Sequence, residues 1–212
     1  MIPNRISFVL SIFLFLASQK CIAQVPVTKV GVGFDVMGNI LQGDFTNHPL
    51  FYSGDLFAKW DIANWISVYG AFTFGELHTA LDANELVQLP DYPAKIITDY
   101  SSLEIYAGIP LYQSWFLPQF LFGGELLHFD PKSAEGAPLP PKNFNKNVLG
   151  FLIGLAFEFP VNKKLSFNIK AVLHLTGTDY LDYYVAGSTP DGYTTFGGGL
   201  SYYFGSNSLE PK

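Results

Sequence analysis

VLGFLIGLAFEF, residues 148–159, decides how the rest of the chain is read. Leu149, Phe151, Ile153, Leu155, Phe157 and Phe159 fall on one side of an extended backbone, and Gly150, Leu152, Gly154, Ala156 and Glu158 on the other. A strand turns successive side chains to opposite faces, so this is a strand with one large apolar face and one face of small residues that ends in a charge. A water-facing surface would not be built from glycine, leucine and alanine. The crowded apolar side therefore looks outward, into something that is not water.

The same period of two recurs. In residues 165–176, Leu165, Phe167, Ile169, Ala171, Leu173 and Leu175 oppose Ser166, Asn168, Lys170, Val172, His174 and Thr176. In residues 102–112, Leu103, Ile105, Ala107, Ile109 and Leu111 oppose Ser102, Glu104, Tyr106, Gly108 and Tyr112. Further segments lie near 29–39, 51–62, 66–74, 115–128 and 194–204, which makes eight. Connections alternate between short, near 62–64, 113–114 and 161–164, and long, near 39–50, 76–100, 129–147 and 177–193. Segments of about ten residues with this asymmetry are the pattern of a transmembrane β-barrel with short periplasmic turns and long outer loops. The fold class expected is all-β: an eight-stranded antiparallel up-and-down transmembrane β-barrel with four long outer loops and both termini at the periplasmic end.

Composition agrees. Of 212 residues, 49% are hydrophobic, 17% aromatic and only 14% charged, against about 25% charged in ordinary soluble domains. Residues 1–23 carry Arg5, an apolar run from Ile6 to Ala17 and small residues at Cys21 and Ala23, the order of a secretory signal peptide. Two parts follow: a signal peptide, 1–23, and a barrel domain, 24–212, with strands within about 29–204 and a short tail, 205–212. Cleavage would remove Arg5, Lys20 and the one cysteine, leaving the 18 acidic residues further in excess over the basic ones. Nucleic acid is not an expected partner on that balance.

Aromatic residues gather beside the short turns: Trp60, Trp65, Trp115, Tyr112, Phe116, Phe159, Tyr202 and Phe204. This is where an interfacial girdle belongs, although alternation turns Trp65 and Trp115 inward. On the inward parity lie Lys29, Asp35, Asp55, Lys59, Glu104, Glu125, Glu158, Lys170 and His174. Eight strands close around an interior that side chains fill, so these groups are expected to form a packed structural ion-pair network, not a channel lining.

The last segment ends GGGLSYYFG, residues 197–205, and its Gly199, Tyr202 and Phe204 resemble the glycine and alternating aromatics of the C-terminal signal read by the barrel-assembly machinery. With the leader and eight segments, the chain resembles the OmpA-like outer-membrane β-barrel family over almost its whole mature length. It departs from that pattern in the residues after Phe204, and shows no peptidoglycan-binding domain there. The resemblance implies export to the outer membrane, contact with lipid and lipopolysaccharide, and the assembly machinery as a partner in biogenesis.

A structural or surface-interaction role follows, with an unidentified partner met through the outer loops, no open pore and no enzymatic activity. Three alternatives stay open. One is a lipid-modifying enzyme: His174 and Thr176 share a face and resemble the His and Ser of barrel-type lipid A deacylases, but with threonine for serine and the pair turned inward. Another is a conduit for small apolar molecules like OmpW-type barrels, and the third a soluble lipocalin-like binder with its apolar face inside. His48, His78, His128 and His174 have no ligand-like neighbour at short spacing, so neither a metal site nor a cofactor is expected.

Overall fold

The computed structural model describes residues 29–45, 47, 49–63, 65–82, 93–111, 116–135, 139, 143–184 and 190–204. The leader, the C-terminal tail, His48, Tyr112 and Trp115 lie outside them. Eight strands run in chain order: β1 (Lys29–Gln42), β2 (Phe51–Ala63), β3 (Ile66–Ala80), β4 (Lys95–Pro110), β5 (Leu117–Ser133), β6 (Asn147–Pro160), β7 (Leu165–Thr176) and β8 (Gly192–Phe204). Each pairs antiparallel with the next, and β8 closes on β1. Among the described residues the strands form one closed ring, the arrangement that lets strands cross a medium that offers no hydrogen bonds.

The alternation is realised as read. Phe34, Leu56, Phe72, Leu103, Phe151, Ile169 and Leu200 are exposed on the outside. Leu152, Ser102, Ser166 and Lys170 are buried inside. This is the reverse of what a soluble lipocalin-like barrel requires. Ile105 is 72% exposed although it lies in mid-strand, because its cross-strand neighbours are Gly70 and Gly124.

At the short-turn end, Phe116 stacks on Phe159 with centroids 5.8 Å apart, and Tyr202 meets Phe204 edge-on at 5.3 Å. Trp60 is exposed beside them in β2. Trp65 does not point inward: it sits in the turn before β3 and is 60% exposed. Parity has no hold there, since the residue precedes the first paired position of its strand.

Three strands are longer than the sequence pattern suggests. β3 continues to Ala80, β4 begins at Lys95 and β5 runs to Ser133, so much of the long connections read at 76–100 and 129–147 is strand. Outward positions in these extensions are polar, and that polarity resembles a loop. Lys132 pairs instead with Asp99 across β4 and β5, Lys146 beside the start of β6 pairs with Asp130, and His78 pairs with Glu76 two residues before it on β3. A collar of charge thus marks the upper edge of the apolar band. Inward positions of the same extensions are buried, Leu77, Ile96, Tyr100 and Phe129 as apolar residues and Thr79, Thr98 and Ser133 as hydroxyls between them.

Candidate functional site

Those inward residues form a plug at the long-loop end. Leu41, Leu77, Tyr100, Leu127 and Phe129 pack with Leu181 and Tyr193, and Leu181 comes from the β7–β8 connection, which folds down into the barrel mouth. It is held there by its own backbone: the Thr98 hydroxyl donates to the Leu181 carbonyl at 2.5 Å, and the Leu181 N–H donates to Asp191 at 2.8 Å. Tyr183 adopts φ 65° within this turn, a conformation costly for a side chain of its size unless packing enforces it. Its ring is buried with Phe45, Leu81 and Ile96.

Asp182 and Asp191 anchor the cap. Asp182 accepts from the N–H groups of Asp44 and Tyr184 at 2.9 and 3.0 Å. Burial raises Asp182 to about 6, with Asp44 and Asp179 adding like charge. Burial raises Asp191 to about 8, with Asp182 as the next cause. A carboxyl with a raised folded-state pKa stabilises the fold fully below its unfolded value and loses that contribution as pH rises through the folded value. The cap should therefore loosen between about pH 5 and pH 8. Amide exchange at Leu181 and Asp44 is expected to speed by at least an order of magnitude over that range beyond the intrinsic pH dependence of exchange, since a carboxyl pKa one pH unit higher in the folded state is about a tenfold bias in the opening equilibrium. A flat profile, or an unchanged one in the Asp182→Asn/Asp191→Asn double variant, would contradict this.

Beneath the cap the lumen is packed in tiers. Nearest the short turns, Lys59 pairs with Glu158 at 2.8 Å and Asp61 at 3.2 Å, under the rings of Tyr69 and Tyr203. Gln119 joins this tier, accepting from the Tyr69 hydroxyl at 2.8 Å. In the middle tier Asp35 and Asp55 face each other across the β1–β2 ladder, and Lys170 binds both, standing 2.9 Å from Asp35. Room for Asp35 comes from Gly199, where a Cβ would collide with the Asp35 carboxylate and with the Phe34 carbonyl. In the upper tier Glu104 and Glu125 face each other across β4 and β5. Glu125 accepts from the hydroxyls of Tyr193 and Ser102 at 2.8 and 3.1 Å and lies 3.0 Å from His174 Nδ1. Glu104 accepts from the Thr73 hydroxyl at 2.7 Å.

Of the nine inward groups read from the sequence, eight are buried together in these tiers. Lys29 is not among them. It is half-buried at the rim and makes no ion pair with a described residue, because Asp61, its cross-strand neighbour, turns to Lys59 and to the Ser67 hydroxyl. Sequence reasoning missed Asp61, Tyr193, Thr195 and Tyr203. All four continue the inward parity of Lys59 or Gly199, so the alternation carried the signal to find them.

His174 and Thr176 share the inward face of β7 as expected, but each bonds elsewhere. Thr176 donates to the Asp191 carbonyl at 2.6 Å, while His174 has Thr195 Oγ1 at 3.2 Å from Nε2 and Glu125 at Nδ1. Hydroxyl, imidazole and carboxylate in that order form a relay capable of activating a nucleophile. Yet all three groups are buried inside a closed ladder and beneath the cap. Acyl transfer would need a carbonyl carbon brought to the hydroxyl, which among the described residues is enclosed by the barrel wall.

A closed ladder of eight antiparallel strands is also found in solved structures. Neisserial surface protein A superposes with a TM-score of 0.59 at 12% identity, over 82% of this chain and 97% of that one. The fold is that of a small outer-membrane β-barrel. A major outer-membrane protein of Thermus thermophilus matches with a TM-score of 0.52 at 12% identity, over 84% and 100% of the two chains. OprG of Pseudomonas aeruginosa matches at 0.50 with 13% identity, over 84% and 96%. These likenesses bear out the eight-stranded barrel and the resemblance in fold to the small OmpA-like barrels. No protein-family model and no curated protein matches the chain.

Proposed function

We propose that the protein spans an outer membrane as a closed scaffold that presents its long-loop end at the surface, and that it neither conducts solutes nor catalyses a reaction. The observation that carries this reading is the combination of an apolar exterior with a lumen filled by ion pairs and capped by the β7–β8 connection. Lipid surrounds the apolar band, lipopolysaccharide meets the charged collar of Asp99, Asp130, Lys132 and Lys146, and a partner is met through the loops above it. Tyr202 and Phe204 face outward on the strand that closes the barrel, which supports their role, with Gly199, as the signal for assembly machinery. Continuous pairing between every neighbouring strand speaks against a lateral opening of the conduit type.

Two measurements test the reading. The exported protein, unfolded and then diluted into buffer with or without detergent, is expected to become β-rich and heat-modifiable on gels only with detergent or lipid. A folded monomer soluble without either would return the soluble-binder reading. In planar bilayers the folded protein should show no stepwise conductance, and sustained unitary currents would overturn the closed scaffold.

A further inference from the structure

We propose that Glu104, Glu125 and His174 form a binding site for a divalent cation of the zinc type inside the barrel. One ligand atom from each lies within 4.8 Å of the others, and the three come from β4, β5 and β7, so the closed ladder itself sets their spacing. An imidazole with two carboxylates suits zinc and its neighbours in the first transition row. Calcium and magnesium prefer oxygen alone.

Charge distribution points the same way. Lys59 is engaged by Glu158 and Asp61, and Lys170 by Asp35 and Asp55. The upper tier therefore holds two carboxylates directly opposite each other with no lysine between them. Like charges in that relation repel, and burial deprives them of the water that would offset the cost. Glu125 shows the deficit in its geometry: its side chain is fully enclosed, but Oε1 has no hydrogen-bond partner.

The surroundings hold the donors in place. Tyr193 stacks on the His174 ring at 4.1 Å with 7° between planes, and Thr195 occupies Nε2, which leaves Nδ1 facing the carboxylates. A hydrogen bond on the far ring nitrogen is the usual means of orienting a ligating histidine. Ser102 bridges Glu104 and Glu125 at 3.1 Å to each. Gly150 leaves room for Glu125, since a Cβ there would stand 2.5 Å from Oε1. A small cavity lined by Asp55, Thr73, Glu104, Lys170, His174 and Thr195 among others adjoins the group, with the Lys170 ammonium held by Asp35 and Asp55.

Because the cap seals the tier, loading is tested during folding. The untagged exported protein is unfolded, refolded into detergent with chelator, Zn2+ or Co2+, and freed of unbound metal by gel filtration. One metal per chain should be retained, and the heat-modifiable transition should shift upward relative to the chelator sample. Glu104→Gln and His174→Gln should each lose both effects, whereas His128→Asn, at the outer rim, should keep them. X-ray absorption on the zinc-loaded wild type supplies a readout that does not depend on variants folding, with one imidazole and oxygen donors expected around the metal. Retention near zero in the wild type, equal retention in the Glu104 and His174 variants, or a shell of oxygen alone would overturn the site.

Discussion

Ile105→Arg is expected to destabilise the folded barrel by about 2–4 kcal/mol in liposomes, the cost of placing arginine near the midplane of a lipid-facing barrel surface. Ile105 is the sharpest probe of facing because it is mid-strand and exposed, with glycines beside it on both neighbouring strands. Ile105 is 72% exposed among the described residues, so loss of contacts is a small part of the effect beside insertion of charge. His128→Arg provides the comparison. It changes a residue on the outward face near the charged collar, where the cost should fall to about 0–1 kcal/mol. Both would be read from denaturant titrations followed by gel mobility and circular dichroism. If the barrel stood in water, arginine at an exposed site would shift stability by no more than about 0.5 kcal/mol. Equal small effects at residues 105 and 128 would therefore place Ile105 in solvent.

Period-two alternation was legible because lipid imposes it on one face and a narrow lumen on the other. Leu152 and Glu158 could be assigned inward from residues 148–159 alone, and Asp35, Asp55 and Lys170 from their own segments. The reading failed where the medium changes. Above the apolar band, outward residues such as Asp99, Asp130 and Lys132 are polar for the same reason that loop residues are, and strand extension cannot be told from loop by polarity. Inward residues there, Leu77, Tyr100 and Phe129, keep the alternation but invert its sense. Partner choice was less legible still. That Lys170 binds Asp35 and Asp55, and that His174 meets Thr195 and not Thr176, depends on strand stagger around the barrel, which alternation does not encode.

The middle tier yields the second large effect. Lys170 is buried and bridges two aspartates that face each other across β1 and β2, with its ammonium also 5.2 Å from the Phe57 ring centre. Lys170→Met preserves most of the side chain's length while removing its charge, so two carboxylates remain enclosed with no cation between them. Breaking a buried pair in this way costs about 3–5 kcal/mol. The loss should be measured as a lowered denaturant midpoint in detergent, with refolding yield falling in parallel. Adding Asp35→Asn and Asp55→Asn should recover most of it, because the cost lies in the stranded charge and not in the missing ammonium. This distinguishes electrostatics from packing: a triple variant as unstable as Lys170→Met would mean that Lys170 acts through its contact with Phe57. Recovery would instead assign the tier to register, since Asp35, Asp55 and Lys170 come from β1, β2 and β7 and meet only when the barrel closes in the observed stagger. A one-residue slip of any of the three strands would turn its charge into lipid.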